Sequence, residues 1–156
     1  MDRRDKNNYY LDIAESVLVR STCLRRKYGA IIVRNDEIIS TGYCGAPRGR
    51  KNCSDLGVCT RDKLNIPHGE RYELCRSVHA ETNAIISASR RDMIGATLYI
   101  ACRDGVTNEL VTGTSCCAMC TRTVINAGIE MVVIRDTQSD YRVVNVHDWI
   151  VNDDSI

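Results

Sequence analysis

The chain holds 156 residues, enough for one compact domain with a sizeable core. Apolar residues make up 44%, charged residues 26%, and the formal net charge is +1, so no global attraction to polyanions or acidic lipid is built in. The opening MDRRDKNNYYLDIAE lacks an apolar stretch of signal-peptide length and no run approaches a membrane span, so a cytoplasmic protein without a membrane partner is expected.

In chain order, Tyr10, Ile13, Ala14, Val17 and Leu18 recur at helical spacing and predict an amphipathic helix over about 7–20. YGAIIVRNDEIISTGY reads as two strands joined in a hairpin at Asn35-Asp36. Residues 44–75 hold both prolines, several glycines and four cysteines with weak periodicity. So long an irregular stretch needs a function or a staple. A helix pattern returns over His79–Ser89 and stops before Gly95. ATLYIAC then reads as a buried strand, and RDGVTNELVTG as a hairpin excursion turning at Asp104-Gly105. A helix over about 117–127 stops at Gly128, and the strand MVVIR follows. Val143, Val144, Val146, Trp149 and Ile150 anchor the tail before an acidic end. One domain with an α/β layered sheet, spanning 1–156, is the expected organisation.

Nine cysteines and only three histidines stand out. An odd count without a signal peptide disfavours disulfides and favours metal. Cys117 and Cys120, three apart at a helix start, share one face, and the positive end of that helix favours thiolates. A lone CxxC also suits a redox pair or half of a structural zinc site. His79 and Glu81 are two apart and cannot share a helix face, so His79 is expected at or just before the helix start. Together the two stretches match the H-x-E…P-C-x-x-C signature of zinc deaminases, with Cys116 in the place of its proline. His79, Cys117 and Cys120 are then the ligands, with Glu81 as acid/base.

RSTCLRRKYGAIIVRNDEIISTGY, GAPRG, CRSVHAETNAI and CAMCTRTVINAGI resemble the cytidine deaminase superfamily, within it the deoxycytidylate (dCMP) deaminase branch, over about Arg20 to Trp149. The resemblance implies a three-layer α-β-α fold with a five-stranded mixed sheet. It also implies a catalytic zinc on His79, Cys117 and Cys120, a proton-shuttling Glu81, and hydrolysis of dCMP to dUMP and ammonia. The chain departs from the family at Cys116, where proline is usual, and at Cys44, where an asparagine meets the substrate sugar.

Substrate contacts are expected at Arg48 in the GAPRG loop, at Arg26, at Cys44 and at Ala80, with an arginine fork suited to a 5′-phosphate. Cys23, Cys53, Cys59 and Cys75, with His68 as a substitute, are expected to hold a second, structural zinc that staples 44–75. Cys102 reads as core. The resemblance further implies a homo-oligomer, a hexamer in many relatives. Three other readings stand beside dCMP: deamination of another amino-heterocycle, for which Cys44 is the motive, editing of tRNA or single-stranded DNA, and a non-catalytic zinc module. Near-neutral charge and a single tryptophan disfavour the nucleic-acid reading, and Glu81 has no use in the zinc module.

Overall fold

The computed structural model describes residues 2–153; Asp154 of the acidic end lies outside them. Helix α1 spans Lys6–Leu18 and begins where the Asp5 carboxylate accepts the Asn8 N–H, one of the orphan donors of a helix start. Strands β1 (Arg26–Arg34) and β2 (Glu37–Tyr43) pair antiparallel, Arg34 opposite Glu37. Asn35 and Asp36 between them both take positive φ, 52° and 61°. A two-residue hairpin turn that follows the strand twist requires this, and these two residue types tolerate it.

Three short pieces follow in the irregular segment: α2 (Cys53–Leu56), α3 (Thr60–Lys63) and a 3₁₀ turn at Tyr72–Leu74. Then come α4 (Ala80–Ile86), α5 (Arg90–Met93), β3 (Thr97–Asp104), α6 (Ala118–Ala127), β4 (Met131–Arg135), β5 (Tyr141–Asn145) and α7 (Val146–Val151). One five-stranded sheet has the order β2-β1-β3-β4-β5. Only β3 and β4 run parallel, with α6 in the crossover that such a pair needs.

The apolar runs of the central strands divide by alternate residues. Ile31, Val33, Tyr99, Ala101 and Val133 meet Tyr10, Leu11, Ala14 and Leu18 of α1. Ala30, Ile32, Leu98, Ile100, Val132 and Ile134 meet Ala80, Ala84, Val124, Ala127 and Val146 on the other face. A strand that is apolar on both sides must be covered on both sides, so the fold has the expected three layers. Arg135 at the end of β4 is fully buried. It is held by Asp12 (2.8 Å) and Glu15 of α1 and by Asn8 Oδ1 (2.8 Å).

The expected excursion at 103–113 is a minimal one: Arg103 and Leu110 form an antiparallel bridge, flanked by backbone bonds from Asp104 N–H to the Glu109 carbonyl and from Val111 N–H to the Cys102 carbonyl. At its turn the Asp104 carboxylate accepts the Val106 and Thr107 N–H groups at 2.8 and 2.9 Å, local bonds that fix the turn. One expectation needs correction. In the tail, Val146 is buried, but Val143 and Ile150 are 48% and 51% exposed. Strand β5 is a sheet edge, and only Val144 of its Val143-Val144 pair turns to the core.

Close backbone approaches set β2 against α4. A Cβ at Gly42 would overlap the Ala80 carbonyl oxygen and the Ala84 amide nitrogen, so only glycine lets β2 lie this close under α4. Just beyond, Gly45 and Val78 exchange backbone hydrogen bonds of 3.2 and 2.7 Å. Asn83 of α4 donates to the Tyr43 and Val78 carbonyls. The chain leaving β2 is thereby clamped beside the chain entering α4.

Candidate active site

His79 is the residue before α4, in extended conformation (φ −70°, ψ 155°), and Cys117 holds the equivalent place before α6 (φ −70°, ψ 165°). Leaving the helical conformation at that residue frees the His79 side chain from the helix face that Glu81 occupies. Cys120 sits in the first turn of α6. His79 Nδ1 lies 3.3 Å from Cys120 Sγ and 3.5 Å from Cys117 Sγ, and the three ligand atoms are all within 4.8 Å of one another. One imidazole and two thiols make a three-donor zinc set that leaves a fourth position open. A tetrahedral ion at ordinary Zn–N and Zn–S lengths sets nitrogen and sulfur about 3.5 Å apart, so the residues fit the ion.

The electrostatics of the trio favour a bound cation. Hydrogen bonds from Cys120 and then His79 pull the Cys117 thiol down to about 4, while its pairing with Cys117 raises Cys120. Bonds to Cys117 and Cys75 lift His79 to about 10. The trio thus favours a thiolate, the form that binds metal, and metal binding displaces protons from such ligands. Glu81, one residue into α4, is 5% exposed, and burial raises its carboxyl above the usual range. Burial also raises the thiols of Cys44 and Cys116.

His79, Glu81 and Cys117 open into a cavity of about 600 Å³. Cys23, Cys44, Cys75, His68 and Arg26, all expected near a substrate or metal, also line it. Two expected contacts do not reach it. Arg48 is exposed in the turn after Pro47 and is absent from the lining; the turn is closed by Arg50 N–H bonded to the Pro47 carbonyl. Ala80 is fully buried, its methyl in the core under β2, so only its main chain is left to meet a ligand.

The four cysteines of the expected second site share one region. Cys53 lies 3.7 Å from Ser77 Oγ, and its thiol, raised mainly by burial, also feels Cys23, Cys75 and Cys59. Among the described residues, however, only His79, Cys117 and Cys120 converge to ligand spacing. Sequence reasoning missed Tyr72, whose ring stands edge-on to His79 at 5.4 Å and 87°, and Arg61, stacked over Tyr72 at 4.2 Å. Both come from the irregular segment, where no periodicity points inward. Arg25, also in the lining, stands in the basic run Arg25-Arg26-Lys27, where nothing in the sequence sets it apart.

The sequence profile of the cytidine and deoxycytidylate deaminase zinc-binding region matches residues 4–136. The chain belongs to that family. It is a deaminase, and zinc is the family's metal. The deoxycytidylate deaminase of Mycobacterium phage D29 is 38% identical over 138 residues, covering 85% of this chain and 96% of the phage protein. The deoxycytidylate deaminase of Schizosaccharomyces pombe is 32% identical over 127 residues, 81% of this chain, which spans only 36% of the yeast protein. The solved dCMP deaminase of cyanophage S-TIM5 in apo form superposes with a TM-score of 0.59 at 24% identity, covering 87% of this chain and 86% of that one. Its complex with dCMP and dUMP gives 0.57 at 23%, covering 88% and 85%. At this identity the likeness establishes the deaminase fold.

Proposed function

We propose that this deaminase converts dCMP to dUMP and ammonia, with His79, Cys117 and Cys120 as zinc ligands and Glu81 as the acid/base. The observation that carries the assignment of roles is the placement of Glu81: buried, lining the same cavity as His79 and Cys117, yet outside the three converging ligand atoms. A purely structural metal site has no use for such a carboxyl. The name and near-complete coverage of the phage D29 relative support the substrate.

Zinc on these donors supplies the acidification of water that makes a hydroxide nucleophile available near neutral pH. The chain's own work is proton handling and placement. Glu81 passes one proton of the attacking water to the ring nitrogen, and the second, released as the new hydroxyl becomes the ring carbonyl, to the amine that leaves as ammonia. Its burial keeps the transfer free of competing bulk water. Arg26, at the start of β1 and in the lining, reaches the charged end of the nucleotide. Cys44, 4% exposed at the end of β2, sits against the ligand as a small thiol. Because a thiol offers poor hydrogen bonding, Cys44 favours a second reading in which the ring carries a different sugar or none.

Cys23, Cys53, Cys59 and Cys75, with His68 as a substitute, hold a second, structural zinc in this proposal. Supporting it is the shared neighbourhood of the four thiols, in a segment with little apolar core of its own. No described helix is long and apolar enough to cross a membrane, and we place this single-domain enzyme in the cytoplasm. Exposed Ile86, Ile94 and Val106 suit contacts within a homo-oligomer. The test is ammonia release from dCMP, CMP, deoxycytidine, dCTP and cytosine under one condition. dCMP turns over fastest on this reading, and a faster nucleoside or base shifts the assignment to the second.

A further inference from the structure

Two buried guanidinium groups have no part in the zinc and proton chemistry. Arg25, immediately before β1, and Arg61, in α3, line the same cavity as His79 and Glu81. Arg61 is only 7% exposed and the side chain of Arg25 only 11%. Each is partly engaged: Arg25 Nη2 pairs with Asp62, and Arg61 Nη1 donates to the Glu70 carbonyl at 3.0 Å. Yet Nε and Nη1 of Arg25 and Nε of Arg61 are buried with no hydrogen-bond partner among the described residues. Buried charged donors are seldom left so, because the unmet desolvation is costly.

We propose that Arg25 and Arg61 together form a buried phosphate site that takes the 5′-phosphate of the substrate. The inference rests on the nucleotide reading and gives its phosphate end particular residues. A guanidinium fork matches phosphate oxygens geometrically, and the bonds are charge-assisted. The carboxylates nearby are occupied or remote from this role. Asp62 pairs with Arg25, Asp104 caps its own loop, and Glu81 belongs to the reacting end. Arg26 is exposed at the cavity rim and serves as an outer contact.

The two arginines come from different parts of the chain, so one anion between them ties the 44–75 segment to the sheet. Arg61 stacks on Tyr72, and Tyr72 meets His79 edge-on. Phosphate binding therefore also sets Tyr72 against the metal-binding histidine. Binding energy from a remote part of the substrate then appears in kcat as well as KM.

The experiment measures kcat/KM for dCMP and for deoxycytidine in zinc-loaded full-length protein: wild type, Arg25→Gln, Arg61→Met, Arg61→Lys and Arg48→Ala. Arg25→Gln and Arg61→Met are expected to lose ~10²-fold on dCMP and less than about threefold on deoxycytidine, with Arg61→Lys recovering part of the loss. Inorganic phosphate should compete with dCMP in wild type and more weakly in Arg25→Gln and Arg61→Lys, which keeps the test available if Arg61→Met does not fold. Equal losses on both substrates would overturn the site and leave Arg61 as a prop for Tyr72. Zinc lost from Arg25→Gln would overturn it by making Arg25 a counter-charge to the cysteines. A dCMP-selective loss in Arg48→Ala alone would return the phosphate to the exposed loop. Wild type with no preference for dCMP over deoxycytidine would overturn the nucleotide reading and this site with it.

Discussion

His79 and Cys117 each stand one residue before a helix, and His79 Nδ1 and Cys117 Sγ lie 3.5 Å apart. Two helix starts thus face each other across the cavity. Their unpaired N–H groups and dipole ends favour the thiolate that a metal needs. The same arrangement turns Glu81, two residues on, to a different side from His79, where it is buried and free to move protons.

Glu81→Gln should fold and hold as much zinc as wild type, and lose ~10²–10⁴-fold in kcat, the range of general acid/base catalysis. Metal content and steady-state rates measured on one preparation check this. Zinc falling in step with activity would make Glu81 a ligand.

Fully loaded protein should contain two zinc ions per chain. Cys53→Ser should lose one of them and drop the melting temperature further than Cys117→Ser does, because structural zinc binding is folding free energy. A single zinc in fully active protein would remove the second site. Loss of stability without loss of zinc would make Cys53 a buried core thiol.

Gly42→Ala places a methyl against the Ala80 carbonyl and the Ala84 amide. It should destabilise by ~1–3 kcal/mol, as overpacking does. Because α4 carries Glu81 and starts directly after His79, kcat should fall at temperatures where the variant is still folded. A variant with wild-type stability would mean that β2 and α4 separate easily, contrary to their close packing.

Asp12 is held below the usual carboxylate range, first by its hydrogen bond with Arg4 and also by Arg135. A carboxylate lowered on folding stabilises fully above its unfolded value, about 3.9, and loses that contribution as pH falls through the lower folded value. Thermal stability should therefore decline on acidification below pH about 4, and Asp12→Asn should flatten part of that slope. A steeper slope in the variant would contradict the sign.

Much of the fold and of the zinc site is legible in the sequence alone. The continuous apolar runs of β1, β3 and β4 announce a sheet covered on both faces. The two-residue spacing of His79 and Glu81 excludes a shared helix face and so places His79 at the cap, where it lies. The irregular segment resists such reading. Arg48 and Arg61 are both arginines in turn-rich sequence, and only the fold decides that one faces solvent while the other stacks on Tyr72. Likewise, Val143 and Val144 are equivalent as sequence, and the edge position of β5 alone decides which is buried.

The most direct measurement is product analysis of dCMP incubated with the zinc-loaded protein in heavy-oxygen water. The proposed chemistry predicts dUMP carrying one heavy oxygen on its base, with one ammonia released per dUMP and no reaction in Glu81→Gln on the same timescale. Unchanged dCMP in protein holding its full zinc, or a product labelled elsewhere than on the ring, would contradict it.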